Sequence, residues 1–142
     1  KNPLIVADDA DIERAVNGIW PACFGNSGQL CISIERLYVD KAISDEFTEK
    51  FGQRVRNMSL GADYEFGIEM GSLISKDQLD TVTAHVDDAV AKGAKVLAGG
   101  KRRADLGPFF FEPTVLTDVT DAAAAFDADP EVKAIVITGS GQ

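Results

Sequence analysis

The sequence predicts an α/β protein with a predominantly parallel sheet covered by helices. Short apolar runs that are typical of buried strands alternate with longer segments whose apolar residues recur every three or four positions. The strand-type runs lie at 4–6, 37–39 and 94–98, and the helical patterns at 12–23, 47–58 and 79–90. Since strands separated by helices are usually joined by crossover connections, this alternation favours parallel pairing. A chain of 142 residues is long enough for one modest core.

The first helical pattern carries one of the two cysteines. Its apolar positions are Ile12, Val16, Ile19 and Cys23, so Cys23 is expected to fill the core. Asp8 and Asp9 precede the pattern and are predicted to cap the helix. Pro21 should bend or shorten the last turn.

The second and third helical patterns also have one apolar face. Ser44 precedes the second, which places Phe47, Phe51, Val55 and Met58 together and leaves Arg54 on the solvated flank. Ser75 and Gln78 have the spacing of a capping box at the start of the third helix, and Gly93 stands where a C-cap glycine belongs. The apolar face of the third helix comprises Leu79, Val82, Val86, Ala89 and Val90.

The third helical pattern and the residues that follow it contain few polar residues that suit catalysis. His85, the single histidine, lies at the edge of the third helical stripe, and no cysteine or carboxylate is placed to orient it as a base. The basic run 101–103 is expected to be a solvated turn, although three cations could attract a carboxylate substrate. The runs 109–111 and 113–116 are predicted to be two β segments, and Glu112 between them is expected to be structural.

Composition excludes several classes of protein. The formal net charge of −9 argues against partners that are nucleic acids or anionic membranes, which require basic surfaces. Two cysteines eight positions apart, with no metal-ligand pattern, are typical of a reducing cytosol. No apolar run reaches the length of a membrane span, and the first residues lack the regions of a signal peptide. We therefore expect a cytoplasmic location.

The run 24–31, Phe-Gly-Asn-Ser-Gly-Gln-Leu-Cys, separates the first helix from a β-type run. Glycine tolerates backbone angles that other residues avoid, so a turn here can present Cys31 to a cleft. Neighbouring backbone N–H groups would then face the oxygen of a carbonyl that the sulfur attacks. The pattern fits a nucleophile, and it also fits a buried structural cysteine on a tight turn, which spacing alone favours.

The same residues resemble the nucleophile signature of the aldehyde dehydrogenase superfamily. Asn26, Gly28, Gln29 and Cys31 match that signature, with Arg36 downstream. The form of 28–36 is most similar to succinic-semialdehyde dehydrogenases of the actinobacterial kind. Further blocks resemble the family in the family's order, at 1–6, 71–75, 93–100 and 111–117.

The resemblance implies a role for each matched residue and a fold like part of an aldehyde dehydrogenase catalytic domain. Cys31 would be the nucleophile, and its own N–H would be one oxyanion donor. Asn26, Gly28 and Gln29 would shape the loop, and Arg36 would hold the loop to the scaffold. The parent family uses NAD(P) and a small aldehyde, but this chain lacks a G-x-G-x-x-G motif after any strand.

The resemblance also implies that parts of the catalytic machinery are missing. The general-base glutamate belongs just before Lys1, and a second oxyanion donor, an asparagine, belongs to an absent cofactor domain. We therefore expect no cofactor in this chain and no oxidation by the chain alone. At most, its cysteine would hydrolyse acyl or ester substrates slowly.

Beyond Thr120 the family pattern stops. The chain is therefore expected to divide into a partial catalytic domain at 1–119 and a divergent tail at 120–142. The tail resembles an early strand of the enoyl-CoA hydratase (crotonase) superfamily, and faintly a turn of the aldehyde dehydrogenase cofactor domain. A buried strand is predicted at 133–138, packed on the same domain, with a turn at 139–141. An unrelated tail favours a recombined or engineered chimera, and the alternative is a natural fragment with a divergent end.

Two functions follow. The first is a catalytic-domain segment of an aldehyde dehydrogenase, and the second is a structural or interaction protein without chemistry. We further expect a homo-oligomer, because a missing cofactor domain would uncover apolar surface. The tail strand, if it lay at a sheet edge, would also be a template for another chain.

Overall fold

The computed structural model describes residues 2–64 and 66–119 in full and residues 132–138 as backbone. The strands in these ranges are β1 (Asn2–Val6), β2 (Ile34–Asp40), β3 (Lys95–Ala98), β4 (Thr114–Thr117) and β5 (Val132–Thr138). The helices are α1 (Ile12–Phe24), α2 (Ser44–Arg56) and α3 (Lys76–Ala91). A short turn, Gly25–Gly28, follows α1 directly. Within the described ranges no helix has the length and apolar character that crossing a membrane requires.

The five strands form one mixed sheet in the order β1-β2-β5-β4-β3. Only β1 and β2 pair in parallel, while β2 with β5, β5 with β4 and β4 with β3 are antiparallel. The expectation of a predominantly parallel sheet was therefore wrong. That expectation assumed a helix between each pair of successive strands. The assumption holds for β1 and β2, which α1 connects. No helix separates β3 from β4, so the chain reverses and the two strands pair antiparallel.

The predicted tail strand exists, and it lies inside the sheet. In the register of β5, Ile135 pairs with Leu37 of β2, and Val136 pairs with Leu116 of β4. The tail strand is therefore not an edge strand, and the edges of the described sheet are β1 and β3. The predicted turn at 139–141 and the alanine run before β5 lie outside the described residues.

The main core lies where α1 and α2 pack together and against the sheet. Except for Ile12, which is half-buried against this core, the periodic positions predicted for these helices are buried. Leu37 and Val39 of β2 and Val115 of β4 are buried as well. Phe47 and Phe51 stack with ring centroids 5.5 Å apart. Each fully buried large side chain contributes about 1.5–3 kcal/mol to stability. The apolar stripes therefore predicted this core correctly.

A second, smaller cluster forms around α3. Leu79, Val82 and Val86 are buried with Leu73 and Phe111, whereas Val90 at the end of the predicted stripe is exposed. This cluster packs α3 against Leu73, which precedes the helix, and against Phe111, which follows β3.

The helix ends show how local chemistry sets the boundaries. Asp11, rather than the predicted Asp8 or Asp9, caps α1, since its Oδ1 accepts from the N–H of Arg14 at 3.0 Å. Ser75 caps α3 as predicted, and its Oγ accepts from the N–H of Gln78 at 3.2 Å. The Nε2 of Gln78 is buried without a hydrogen-bond partner among the described residues.

The run 109–111 is not the predicted β segment. Phe111 makes only an isolated bridge to Arg102. The backbone bonds of this run pair it with the preceding turn, where the N–H of Arg103 donates to the carbonyl of Phe110 at 2.9 Å. Pro113 cannot donate to a ladder, so the strand begins only at Thr114.

Candidate active site

The two cysteines lie in opposite environments. Cys31 is exposed, on the loop between the turn Gly25–Gly28 and β2, and its neighbours Leu30 and Ile32 are exposed as well. Cys23 is 1% exposed on the inner face of α1, and burial raises the pKa of its thiol to about 12. The predicted burial of Cys23 is confirmed. Cys31 is the thiol that a substrate can reach, and its catalytic role stays a prediction.

The turn before Cys31 has an unusual backbone. Asn26, Ser27 and Gly28 have φ of 50°, 55° and 71°, so three consecutive residues are left-handed. For residues other than glycine this conformation costs about 1–2 kcal/mol each. The sequence pattern attributed the turn to its glycines, but Asn26 and Ser27 adopt the same conformation. Contacts made by the turn must offset this cost.

Asn26 and Gln29 close the turn on each other. The N–H and the Nε2 of Gln29 both donate to the carbonyl of Asn26, at 3.0 and 3.1 Å. The Nδ2 of Asn26 donates in return to the carbonyl of Gln29 at 3.3 Å. These bonds close the turn, and the loop-shaping role that the resemblance implies for Asn26 and Gln29 stays a prediction.

Two further bonds connect the turn to a distant segment at 71–74. The Oε1 of Gln29 accepts from the N–H of Ile74 at 2.9 Å. The Oγ of Ser27 donates to the carbonyl of Gly71 at 2.9 Å, with the carbonyl of Ser72 at 3.2 Å. Ser27 was missed as a site residue. A serine within a polar turn carries no sequence signal for an acceptor that lies 44 positions away.

The loop is also fixed on the side that leads into β2. The Nδ2 of Asn2 donates to the carbonyl of Ile32 at 3.3 Å, and the N–H of Asn2 donates to the carbonyl of Ser33 at 3.2 Å. Because Gln29 and Asn2 flank the loop, residues 30–32 form an exposed tip between two fixed points.

Arg36 lies on β2 with its side chain exposed, where its backbone pairs with Pro3 and Val136. Among the described residues no side-chain hydrogen bond joins Arg36 to the cysteine loop. Its implied role in holding the loop therefore stays a prediction.

The other polar candidates lie apart from this loop. His85 is exposed on α3. Arg102 of the basic run donates to Thr83 at 3.0 Å and to Asp80 at 2.8 Å, and Arg103 pairs with Asp105 at 2.8 Å. Carboxylates of the chain thus already engage two of the three cations. The described residues contain no group of three His, Cys, Asp or Glu side chains able to hold a metal ion.

The helix N-termini do not suit the phosphates of a dinucleotide. Each of the three helices has a carboxylate in its first turn, and these residues are Glu13, Asp45, Glu46 and Asp77. A phosphate binds at a helix N-terminus through free N–H groups and the positive end of the dipole. Carboxylates at that position repel it, so the described helices do not fit the cofactor.

Comparisons with known proteins identify the relatives of the chain. The profile described as the aldehyde dehydrogenase family matches residues 1–132. A Mycobacterium tuberculosis protein named "Putative succinate-semialdehyde dehydrogenase NADP(+) 2" is 63% identical over 119 residues, which cover 84% of this chain and 23% of that protein. This chain thus spans about a quarter of the length of the curated relatives that it matches.

Solved structures agree with the sequence relatives. The succinate-semialdehyde dehydrogenase of Burkholderia pseudomallei is 42% identical with a TM-score of 0.78, over 84% of this chain and 24% of that one. The NAD+ complex of an aldehyde dehydrogenase from Bacillus cereus is 38% identical with a TM-score of 0.79, over 85% and 24%.

The comparisons also bear on the tail. The family profile continues through residue 132, past Thr120, where the sequence pattern was expected to end. They give no support to the resemblance of the tail to enoyl-CoA hydratases, and hence none to a chimera of the two families. A match over most of the chain, together with relatives in sequence and in structure, shows that this chain belongs to the aldehyde dehydrogenase family.

Proposed function

We propose that this chain is the nucleophile-bearing segment of an NAD(P)-dependent aldehyde dehydrogenase of the succinic-semialdehyde type. The observation that carries the proposal is an exposed Cys31 on a loop tip that is fixed on both sides. The names of the relatives support the substrate class. Because the chain spans about a quarter of their length, the complete activity belongs to the longer protein.

In this proposal the sulfur of Cys31 attacks the carbon of the aldehyde. A C–S bond forms, the π electrons of the carbonyl move to its oxygen, and the backbone N–H of Cys31 stabilises the developing charge. The S–H proton of Cys31 passes to water before the attack, and the product is a thiohemiacetal once the oxygen takes up a proton from water. This addition is reversible and requires only residues that the chain contains.

The later steps require groups from outside this chain. The nicotinamide cofactor supplies a hydride acceptor when it is bound, but the described helices do not fit it. The glutamate base and the asparagine donor that the resemblance implies also lie outside. We therefore propose that the chain alone does not oxidise aldehydes.

The addition step can be tested with succinic semialdehyde labelled with ¹³C at the aldehyde carbon. We expect a thiohemiacetal carbon signal in the NMR spectrum that disappears in the Cys31→Ser variant. Cys23→Ala is the control, because its sulfur is buried and should contribute nothing to the signal. A signal that persists in Cys31→Ser, or no signal in the unmodified chain, would contradict the assignment of the nucleophile.

A role as an interaction protein is the second candidate, and the edge strand β1 supports it. β1 pairs only with β2 in the described sheet, and the side chain of Ile5 on it is 78% exposed. An exposed edge strand with an apolar side chain is a template for pairing with another chain. We therefore propose that the chain forms a homo-oligomer through β1. Light scattering coupled to size exclusion should show that the unmodified chain is a dimer and that the Ile5→Lys variant is a monomer. If the unmodified chain is itself a monomer, the proposed homo-oligomer is excluded.

A further inference from the structure

We infer that Ser27 is a positioning residue for Cys31, acting through its side-chain hydroxyl. This inference rests on the proposed function in one respect, namely that Cys31 is the residue whose position matters. Ser27 itself does not belong to the loop tip and does not reach a substrate there. Its effect on Cys31 passes through the turn and through the segment at 71–72.

The hydroxyl of Ser27 is placed between two carbonyls. Ser27 is 4% exposed, and its Oγ lies 2.9 Å from the carbonyl oxygen of Gly71 and 3.2 Å from that of Ser72. A hydroxyl has one hydrogen, so it donates to one carbonyl at a time or shares the hydrogen between both. Removing this donor would leave the two carbonyls without that bond.

The backbone conformation of Ser27 is a further reason to assign a role to its hydroxyl. At φ of 55° a glycine would fit without strain, whereas a serine at this position is strained. A serine is therefore favourable at this position only if its side chain offsets the strain. The bonds to Gly71 and Ser72 contribute to that offset.

The position of Ser27 in the chain explains why the loss of its hydroxyl should increase the mobility of Cys31. Ser27 fixes the turn at one point of the 71–74 segment, and Gln29 fixes it at another through Ile74. On the other side of the tip, Asn2 fixes residues 32 and 33. Without the hydroxyl, the connection of Ser27 to Gly71 and Ser72 is lost and the tip that carries Cys31 gains freedom.

The test uses two substitutions with opposite effects on the backbone. Ser27→Ala removes the hydroxyl and keeps the strain, whereas Ser27→Gly removes both. Ser72→Ala is the matched control, since it changes an exposed side chain on the same segment and leaves the accepting carbonyl in place. A nitroxide attached to Cys31 reports the mobility of the tip by electron paramagnetic resonance, and Cys23 is too buried to take the label.

Hydrogen exchange supplies a second measurement. We expect the amide of Ile74 to exchange about tenfold faster in both Ser27 variants, the effect of one lost hydrogen bond, while amides of α2 keep their rates. The nitroxide on Cys31 should show narrower lines in both variants and an unchanged spectrum in Ser72→Ala.

Three outcomes would overturn the inference. If the nitroxide spectrum is unchanged in Ser27→Gly but shows a mobile label in Ser27→Ala, then backbone strain alone controls the mobility of the tip. Wild-type spectra in both variants would mean that the hydroxyl does not position the tip. Equal acceleration of exchange in α2 would mean general destabilisation. None of these measurements uses an aldehyde, so they remain independent of the test of the proposed function.

Discussion

The guanidinium carbon of Arg54 lies 4.1 Å from the centroid of the Trp20 ring, so a cation on α2 stacks on an aromatic side chain of α1. The same guanidinium forms an ion pair with Glu69 through two nitrogens. Glu69 also accepts from the N–H of Ser59 at 3.0 Å. This cluster connects α1 and α2 to the loop that follows α2. The expectation that Arg54 lies on a solvated flank was therefore wrong.

Replacement of Arg54 by alanine should destabilise the fold. The variant loses the stacking on Trp20 and leaves the Glu69 carboxylate with fewer partners in a site where both side chains are under a third exposed. We expect a loss of about 1–2 kcal/mol in the free energy of unfolding, measured by urea denaturation. The control is Lys50→Ala on the same helix, which removes two ion pairs with the exposed carboxylates of Glu13 and Glu46 and should change stability far less. Equal losses in the two variants would contradict the cluster's role.

Glu69 should make stability depend on pH in the acidic range. The hydrogen bond from Arg54, opposed in part by burial, lowers the pKa of the Glu69 carboxyl from its ordinary value of 4.5. A depressed pKa in the folded state contributes stability above the unfolded value and loses it as the pH falls through the folded value. The stability difference between the unmodified chain and Glu69→Gln should therefore be largest near neutral pH and narrow below about pH 4. A difference that stays constant down to pH 3 would contradict this.

The two thiols should differ in their rate of alkylation. Cys31 is exposed. Cys23 is buried, and the pKa of its thiol is raised to about 12, so the thiolate form of Cys23 is both scarce and inaccessible. Brief treatment with iodoacetamide followed by mass spectrometry should place the label on Cys31. Cys23 should be labelled only after denaturation. Preferential labelling of Cys23 in the folded chain would overturn the placement of both residues.

Two glycines should respond oppositely to alanine. A Cβ at Gly99 would lie 2.1 Å from the carbonyl oxygen of Pro113, and φ there is 72°. Gly99→Ala should therefore destabilise by about 3 kcal/mol or more. Gly18 is exposed within α1 and a Cβ there meets nothing within 4 Å, so Gly18→Ala should stabilise by about 0.5–1 kcal/mol. Thermal and urea unfolding measure both, and a stable Gly99→Ala would show that β3 and β4 can separate at this point.

The chain should not bind NAD(P) at micromolar concentration. Carboxylates occupy the first turns of α1, α2 and α3, where a phosphate would need free N–H groups. Calorimetric titration with NADP+ should show no saturable heat. Micromolar affinity would mean that residues outside the described ranges build a cofactor site.

Local patterns in the sequence determined much of this structure. The spacing of Phe47, Phe51 and Val55 predicted a buried helical face, and Ser75 predicted the start of α3. The same reasoning predicted that Cys23 is buried. These features depend on residues three or four positions apart, and a helix brings such residues together whatever the rest of the chain does.

Tertiary structure decided the features that join distant residues. The direction of β3 against β4, the insertion of β5 between β2 and β4, and the stacking of Arg54 on Trp20 have no local signature. The same holds for the loop that carries Cys31. Its sequence predicted a turn and a thiol, but the bonds of Ser27 and Gln29 to residues 71–74 span 44 and 45 positions. Such bonds depend on which segments the whole fold brings within about 3 Å, and no short sequence pattern contains that information.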